Sequence, residues 1–529
     1  MKNILVIFIL LGLVSCSDSF LERNPTDSTT SEVLLKSKEG CELALNGIYA
    51  TAMYSYVQYY VPYFNEARAD DLNFTQDGPY TFINIFNYNQ GLADNNVAYN
   101  IWPKAYQIID AANLIINNEL IGITEQEIRD DYIAQAKTMR ALAYLDLLNA
   151  FSKPVHVNSG DNLGVPLIVV SDYGNDDEVR SSVIEIYRLI YDDLKSAAIL
   201  IGNGMNPERA NLALVHGLLT RMYMNLAGPI GSSNSYQLAE GVNITSEQAL
   251  EKAVEHANQA LDVVQPSMDF TELENGISRV LSESILVARA ISDEYNATGT
   301  HCAQWDSNNN ASKTVRVYTE TVDLFEDEDM RLKYFYDYFS WTENYDKYVG
   351  AGYDHVDASA LEISKGQFIS LHGHRIFGKF TPSDYFVEDL DDLLDNGVGN
   401  ISYTNGLGDF NIMRASEIAL LKAEACKRLN RHEEALQSFE LVNNRYFTTP
   451  SNRTNVTLAE IQLEKRLEFL GEGIRMRDLL RWGNDFSRPS STLSTVQDVA
   501  FDDYHMQLPI PDSEIKINDN IEQNPGYGN

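Results

Sequence analysis

The sequence predicts a mainly α-helical protein, a tetratricopeptide-like superhelix of helix pairs with a loop-rich insertion and few short strands. First, apolar residues recur every three or four positions over about 36–265 and 412–483. Second, capping motifs and helix-breaking residues divide those stretches into helix-sized segments. Third, Gly, Asn, Asp and aromatic residues replace the helical pattern over about 266–405. No strict 34-residue period is visible, so we expect degenerate repeats.

The helices of the first half are predicted from their apolar faces and their ends. One apolar face runs from Trp102 to Ile116, and another runs from Ile128 to Phe151. The predicted helix ends carry capping or helix-breaking residues, namely Pro154, Ser182-x-x-Glu185, Asn211, Gly228-Pro229 and Thr245-x-x-Gln248. We therefore expect helices of about 16–24 residues joined by short connections.

Helices return after the loop-rich region. The pattern predicts a pair over Ile412–Leu429 and Glu433–Tyr446, and Thr457-x-x-Glu460 is a capping box for a third helix. Residues 484–529 are polar with three prolines, so we expect this tail to wrap the surface. Residues 32–529 are thus predicted to form a single folded body.

The first residues have the pattern of a targeting segment. Lys2 precedes an apolar run, Ile4–Val14, that fits a signal peptide and falls short of the roughly 20 residues of a membrane-spanning helix. The run leads to Leu13-Val14-Ser15-Cys16, which resembles a bacterial lipobox. We predict a signal peptide over 1–15, lipidation of Cys16 and a tether through residue 31. An ordinary secretory signal, with Cys16 as a bystander, is the alternative.

The charge balance argues against several classes of partner. The chain has 40 Lys and Arg against 76 Asp and Glu, a formal net charge of −36. Such a chain repels phosphate backbones and anionic lipid headgroups, so neither nucleic-acid binding nor membrane attachment through a basic patch is expected. No stretch after the first 16 residues has the length and apolar character of a transmembrane helix.

The four cysteines form neither a disulfide framework nor a zinc motif. If Cys16 carries lipid, then Cys41, Cys302 and Cys426 remain, and three thiols cannot all pair. No CxxC or CxxH spacing is present. We interpret the three as buried small side chains, with at most one bridge among them.

Three C-terminal motifs resemble the SusD/RagB family of Bacteroidetes outer-membrane lipoproteins. Arg414 precedes ASEIALLKAEA at 415–425, IQLEKRLE at 461–468 is followed by EGIRMRDLLRWG at 472–483, and LPIPDSE at 508–514 is followed by QNPGY at 523–527. Ser416 replaces the Ala that is frequent in the family, and Lys465 replaces the usual Arg. These departures leave the match intact.

The resemblance implies both an architecture and a role. Members have four tetratricopeptide-like units that support a loop-rich, ligand-binding face, and they sit lipid-anchored on the cell surface at the outer membrane. The implied function is to bind a glycan or oligosaccharide and to deliver it, without catalysis, to a SusC-like TonB-dependent transporter. The same architecture binding peptides is one alternative, and a surface glycoside hydrolase is another.

Candidate ligand contacts follow from the chemistry of sugars. A sugar ring stacks its C–H face on an aromatic ring, and its hydroxyls bind carboxylates, amides or guanidiniums. Two regions offer that mixture, an early segment and the loop-rich region. The predicted contacts are Arg68, Asp70, Asp71, Tyr80, Tyr88, Asn89, Trp305, Trp341 and Tyr345. Structural capping is an alternative role for the two aspartates.

The charged residues between Glu464 and Arg481 could supply the acid–base pair of a glycosidase. Pairing at i,i+3 and i,i+4 on helix surfaces, such as Asp478 with Arg475 and Arg481, is the favoured interpretation. Trp482 is expected to pack nearby. We therefore predict no catalytic residues.

Two further clusters contain residue types that can bind metal ions. His372-Gly373-His374 has no third ligand at suitable spacing. The acidic run Glu326–Asp329 is not followed by the glycine-containing loop of a calcium site, and a solvated face is the favoured interpretation. We expect no cofactor, and a structural Ca²⁺ stays open as an alternative.

Replacing Cys16→Ala should release the protein from the membrane fraction, because the acylated side chain is lost. Fractionation and incorporation of labelled palmitate measure this, and Cys302→Ala is the control that should stay membrane-bound. Incorporation of palmitate into the Cys16→Ala protein would show that the lipobox interpretation is wrong.

Overall fold

The computed structural model describes residues 34–55, 60, 64–74, 80–89, 96–171, 178–274, 277, 279–289, 315–336, 376–377, 409–449 and 452–528. The predicted signal peptide, lipidation site and tether lie outside these residues. Four other predictions do too, those on Cys302, Trp305, Trp341 with Tyr345, and His372-Gly373-His374.

Helices make up most of the described chain, which confirms the predicted fold class. The first half contains α1 Lys38–Ser55, α2 Tyr80–Phe86, α3 Asn96–Ile116, α4 Gln126–Phe151, α5 Val183–Leu200, α6 Leu212–Ala227 and α7 Ser246–Val263. The second half contains α8 Phe270–Glu274, α9 Thr319–Val322, α10 Ala415–Arg428, α11 His432–Asn443, α12 Leu458–Glu468, α13 Arg475–Trp482 and α14 Asp512–Ile517.

The strands of the described residues are short and pair two by two, always antiparallel. They are β1 Leu72–Phe74, β2 Leu163–Pro166, β3 Arg180–Ser182, β4 Ser235–Ala239, β5 Val242–Thr245, β6 Ser284–Ala288, β7 Val315–Val317, β8 Phe335–Tyr336, β9 Ile376–Phe377, β10 Phe410–Arg414, β11 Phe486–Ser487 and β12 Asp498–Val499. The pairs are β1 with β7, β2 with β3, β4 with β5, β6 with β10, β8 with β9, and β11 with β12.

The capping motifs act as the sequence predicts. Ser182, Thr245 and Thr457 each accept a hydrogen bond from the backbone N–H three residues on, and the Glu or Gln at that position accepts one in return. Asn211 caps α6 through the N–H of Leu214. Each cap satisfies backbone donors that a helix start leaves open, and so fixes where the helix begins.

One predicted helix start is wrong. The helix expected from Ile412 begins at Ala415, because 410–414 form the fully buried strand β10 beside β6. A short apolar run that is buried on both faces has no periodicity to separate strand from helix, so the partner strand decides.

Neighbouring helices pack in pairs around one apolar core. The main contacts join α3 with α4, α4 with α5, α6 with α7 and α10 with α11, and α10 also packs on α7. The alanines of α4 are buried with its larger apolar side chains, which allows close helix approach. The contact of α10 with α7 joins the C-terminal helices to the first half.

A buried ionic network lies beside the β6–β10 ladder. Arg414 binds Glu472 with two hydrogen bonds of 2.6 and 2.9 Å, Glu468 at 2.8 Å, and also Glu283. Arg445 bridges Glu283 and Glu468 from the other side at 2.7 and 2.6 Å. All five side chains are at most 4% exposed. Charges this deep need such partners, because losing hydration is costly.

The two residues that depart from the SusD/RagB pattern, Ser416 and Lys465, each have a defined partner in the structure. The Ser416 hydroxyl donates to Glu283 at 2.7 Å, and Lys465 binds Asp478 at 2.8 Å. Lys465 therefore keeps a cationic partner for a buried carboxylate, and Ser416 adds a hydroxyl donor that Ala lacks.

The C-terminal charged residues form interior bridges. The predicted pair of Asp478 with Arg481 is confirmed, whereas the pair with Arg475 and the surface location are wrong. Arg481 does bind Asp478, at 2.9 Å, but it also binds Glu424 of α10 with two bonds of 2.6 Å. The Trp482 indole donates to Glu424 at 3.2 Å. Burial raises the pKa of Glu424, but the Arg481 guanidinium outweighs it and lowers the pKa to about 2. Tertiary packing, which helix spacing does not report, places Glu424 there.

The structure bears on two remaining predictions, those on the cysteines and on membrane-spanning helices. Cys41 and Cys426 are buried free thiols, as interpreted from the sequence. Among the described helices, none has both the length and the apolar character that crossing a bilayer requires.

A pair of histidines lies between α6 and α7. The Nδ1 atoms of His216 and His256 are 3.2 Å apart, and the His256 ring also stacks on Tyr223 at a centroid distance of 5.5 Å. Burial, with the neighbouring imidazole adding to it for His216, lowers the pKa of each from 6.5 to about 4. Both rings are therefore neutral in the folded protein near pH 7.

Replacing Arg414→Met should lower the free energy of unfolding by roughly 3–5 kcal/mol, because three buried carboxylates lose their shared cation. Urea denaturation measures this. Arg431, which pairs with Glu251 at the surface, provides the control, and Arg431→Met should change stability by less than about 0.5 kcal/mol. Equal effects of the two variants would contradict the importance of the network.

The free energy of unfolding should fall as the pH is lowered from about 6.5 to about 4. The upper value is the ordinary pKa of histidine, and the lower one is the pKa of His216 and His256 in the folded protein. The unfolded chain binds more protons than the folded one in this window, which gives up to about 1.4 kcal/mol per pH unit for each imidazole. His256→Gln should flatten the pH profile of urea unfolding there, whereas His432→Gln, at the surface, should not. A slope unchanged in His256→Gln would contradict the assignment.

Candidate ligand-binding site

The early segment that the sequence singled out is folded into the interior. Arg68, Asp70, Asp71 and Tyr88 are at most 5% exposed. Their partners come from the C-terminal part of the chain, about 400 residues away in sequence. This burial argues against a ligand-contacting role for these four side chains.

The two aspartates are held by arginines of the C-terminal helices. Asp70 receives two hydrogen bonds of 2.8 Å from Arg475, and Asp71 receives one of 2.6 Å from Arg466. Burial would raise the pKa of Asp70, but the Arg475 guanidinium outweighs it and lowers the pKa. For Asp71 burial prevails and the pKa is raised. The pair therefore joins the early segment to α12 and α13.

Arg68 is a buried cation with little compensation. Its guanidinium carbon lies 4.5 Å from the centroid of Phe64, and Nη2 donates to the His505 carbonyl at 2.5 Å. Nε and Nη1 have no hydrogen-bond partner among the described residues. Burial lowers the pKa of Arg68. Tyr88 donates its hydroxyl to the Arg68 carbonyl at 2.6 Å, so it holds the backbone of the segment.

Arg488 holds the same segment through its backbone. It donates to the carbonyls of Ala67, Ala69 and Phe86 at 2.6–3.1 Å. Asn73 adds two bonds to residues 491 and 493, at 3.2 and 2.9 Å. The C-terminal tail thus holds residues 67–73 in place. It also contributes Met506, Leu508 and Ile510 to the core, so the prediction that the tail wraps the surface rather than forming a core is wrong.

Of the other predicted contacts, the structure describes two. Tyr80 is the first residue of α2, and Asn89 is exposed just beyond the end of that helix. Trp305, Trp341 and Tyr345 lie outside the described residues. For these five, the ligand-binding role stays a prediction.

An open cleft lies beside the end of β6, and we call it the β6 cleft. Its volume is about 410 Å³, within the usual range of about 300–1,000 Å³ for ligand sites. It is lined by Asn46, Tyr49, Ala50, Ala52, Met53, Met139, Glu208, Arg209, Leu286, Val287, Ala288, Arg289 and Ile412. Most of this wall is apolar, and its polar groups are few.

The polar side of the β6 cleft is built from two arginines. The Arg209 guanidinium carbon is 4.9 Å from the Tyr49 ring centroid, and the Nη2 of Arg209 donates to the Asn46 side chain. Arg289 binds Glu208 at 2.6 Å and Asp409 at 3.0 Å. Arg289 and Glu208 are 46% and 49% exposed, so this pair faces solvent. An apolar wall with a few accessible donors and acceptors is suited to binding a small polar ligand.

The chain's topology explains why this cleft lies where it does. Phe410 pairs with Ala288, so the chain leaves the ladder after β6 and returns to it at β10. The bond between Arg289 and Asp409 joins the two ends of that long excursion. Residues of loops that emerge from a rigid ladder are common carriers of binding function.

The sequence alone did not identify the cleft residues. Arg289 follows an apolar run, and Glu208-Arg209 precede a helix cap, which are ordinary places for charged side chains. Only the folding of α1 against β6 brings Tyr49 and Arg289 to one cleft. The sequence feature that comes nearest to marking the cleft is the charged residue at each end of the segment between β6 and β10, Arg289 and Asp409.

A second groove of about 780 Å³ is lined by Met205 and Pro207, which come just before Glu208 and Arg209 of the β6 cleft in sequence. It exposes Met205, Val263, Met268 and Val280, and no Lys or Arg lines it. This groove is wider and lacks cationic donors, so the β6 cleft is the stronger candidate site.

Metal binding finds no support in the described part of the chain, where no three His, Cys, Asp or Glu side chains are grouped suitably. In the acidic run, Glu326, Asp327 and Glu328 are exposed, as the sequence indicated, whereas Asp329 is buried. Asp329 accepts from Arg331 at 2.7 Å. Three of the four acidic side chains thus face solvent, and Asp329 forms a buried ion pair with Arg331.

Comparison with known proteins decides the family. A sequence model described as the SusD family matches residues 281–527, and one described as starch-binding associating with outer membrane matches residues 19–224. The chain belongs to the SusD family. The resemblance seen in the C-terminal motifs is thereby confirmed, and the family description places SusD proteins at the outer membrane.

Individual SusD relatives agree over nearly the whole length. A SusD-like protein of Bacteroides ovatus is 23% identical over 503 residues, covering 91% of this chain and 83% of that protein. A SusD superfamily structure from Bacteroides thetaiotaomicron has a TM-score of 0.73 at 22% identity, covering 92% and 100% of the two chains. A laminarin binding SusD-like protein has a TM-score of 0.67 at 20% identity, covering 93% and 100%. At these identities the structures establish the shared fold.

Arg475→Met should lower the free energy of unfolding by roughly 3–5 kcal/mol, because the buried Asp70 carboxylate loses its bidentate partner. Arg68→Met is the matched variant. It should lower the free energy of unfolding by less than about 1 kcal/mol, or raise it, because the lost guanidinium makes one hydrogen bond and pairs with no carboxylate. Urea unfolding measures both. A large loss in Arg68→Met would contradict the structural description of that residue.

Proposed function

We propose that this SusD-family protein is a lipid-anchored protein of the cell surface that binds a glycan and delivers it to a SusC-like TonB-dependent transporter without catalysis. The observation that carries the proposal is an accessible cleft at the base of the loop-rich excursion in a SusD fold. The laminarin binding SusD-like protein, whose fold this chain shares, supports a saccharide as the ligand class.

The chemistry of the β6 cleft fits a saccharide. A sugar presents C–H groups that can cover an apolar wall and hydroxyls that need nearby donors and acceptors. The cleft offers the partly exposed Tyr49 and the exposed Ala50 on its apolar side, and the guanidinium and carboxylate of Arg289 and Glu208 at its open side. Both kinds of group are therefore available to one ligand.

The state of the C-terminal carboxylates supports a role without catalysis. A glycosidase needs a carboxylic acid that touches the glycosidic oxygen and holds a proton near neutral pH. Glu464, Glu468 and Glu472 are at most 4% exposed, and arginines bind all three. Carboxylates buried and paired in this way do not reach a substrate.

Anchoring and delivery rest on the sequence. The lipobox-like segment ending at Cys16 supplies the proposed lipid anchor, and the family description supports the outer membrane as the location. The strongly acidic chain is suited to attachment through lipid, because charge gives it no affinity for anionic headgroups. The proposed partner is the barrel of a TonB-dependent transporter.

The purified lipid-free protein should bind at least one oligosaccharide on a glycan array, with no product released during overnight incubation. Chromatography of the reducing sugars checks the second statement, and a glycoside hydrolase of matching specificity is the positive control. Retention of peptides from a digest with no glycan binding would instead favour the peptide-binding alternative. Product formation that one carboxylate substitution abolishes would favour the hydrolase.

Affinity purification of the full-length lipoprotein from detergent-solubilised outer membranes should recover a TonB-dependent transporter. The Cys16→Ala protein, secreted and purified from the same cells, separates dependence on the anchor from direct association. Recovery of no transporter by the full-length protein would contradict the delivery role and leave glycan binding standing.

A further inference from the structure

We propose that the β6 cleft selects an uncharged saccharide and that the Glu208–Arg289 pair recognises two neighbouring hydroxyls of it. This inference rests on the proposed function, because it names the class of glycan and the groups that read it. It follows from the charge balance of the cleft, from the exposure of the pair and from the apolar wall opposite.

The guanidinium at the open side of the cleft, that of Arg289, is already paired with carboxylates, whereas Arg209 binds the Asn46 amide and the Tyr49 ring. Arg289 binds two carboxylates, those of Glu208 and Asp409, at 2.6 and 3.0 Å. Arg209 adds one positive charge, so the four groups sum to zero. A uronic acid or a sulfated sugar that approached the Nη2 of Arg289 would lie beside the carboxylates of Glu208 and Asp409, and both would repel it. The chain's net charge of −36 adds to that repulsion at low ionic strength.

The exposed pair can bind hydroxyls without being separated. Arg289 uses Nη1 for Glu208 and Nε for Asp409, which leaves Nη2 without a protein partner among the described residues. Glu208 uses Oε1 for Arg289, and its second oxygen has no partner in the described part of the chain. One hydroxyl can accept from the guanidinium while its neighbour donates to the carboxylate. Charge-assisted hydrogen bonds of this kind are stronger than neutral ones.

Shape and apolar contact complete the site. The accessible part of the apolar wall comes mainly from Tyr49 and Ala50, whereas Met53 and Ile412 are 8% and 6% exposed. This surface can meet the C–H face of a sugar ring. Arg209 covers a face of the Tyr49 ring at 4.9 Å, and the Tyr49 hydroxyl is used by Gln135 and the Ala210 N–H at 2.8 and 2.9 Å. Tyr49 therefore shapes the wall, and hydroxyl recognition falls to the Glu208–Arg289 pair.

Isothermal titration calorimetry with defined hexasaccharides tests the inference. The neutral probes are laminarihexaose, maltohexaose, cellohexaose and mannohexaose, and the acidic probes are hexamers of galacturonate and mannuronate. The protein should bind a neutral probe at least tenfold more tightly than either acidic one. Arg289→Ala and Glu208→Gln should each weaken that binding at least tenfold. Arg431→Ala, which breaks a comparably exposed pair with Glu251, should leave it unchanged.

The outcomes separate this inference from the function it rests on. Tighter binding of an acidic probe, or neutral binding that is unchanged in both cleft variants, overturns the inference and leaves glycan binding standing. No binding of any hexamer, together with an array on which no glycan is retained, overturns both. Thermal unfolding of each variant within a few degrees of wild type shows that a loss of binding is local, and Glu208→Gln, which keeps the side-chain shape, covers the case in which Arg289→Ala does not fold.

Discussion

The structure depends on a buried ionic network centred on Arg414 and Arg445. Glu283 precedes β6, Arg414 ends β10, and Glu468 ends α12, so three distant parts of the chain share two guanidiniums. Removing such charges from water is costly, and their pairing offsets that cost only when every partner is in place. The network therefore does more to specify one arrangement of these segments than to add stability over an apolar core.

The position of the network decides what the neighbouring ladder can do. With β6 and β10 locked at their inner ends by Arg414, their outer ends, Ala288 and Phe410, form a fixed base from which the loop-rich excursion departs. The bond from Arg289 to Asp409 closes that base, and α1 packs beside it to form the β6 cleft. A fixed base of this kind suits a family whose members share a fold at about 20% identity.

The same principle explains the fate of the early segment. Its acidic and aromatic residues have the composition of a sugar site, yet Asp70 and Asp71 bind Arg475 and Arg466, and Arg488 holds the backbone around them. Composition cannot separate a polar site from a polar brace, since both need paired charges beside aromatic rings. The surface that remains accessible beside the ladder consists of less distinctive residues, Glu208 and Arg289 among them.

The sequence by itself determined the helical class, the capped helix starts at Ser182, Thr245 and Thr457, and the family, because periodicity, capping and long motifs are local in the chain. Only the tertiary structure decided that 410–414 is a strand, that Arg475 turns to Asp70 and not to Asp478, and that Tyr49 and Arg289 meet in one cleft. Each of these depends on partners tens to hundreds of residues away. Which buried charge meets which is set by packing geometry, and spacing along one helix does not contain it.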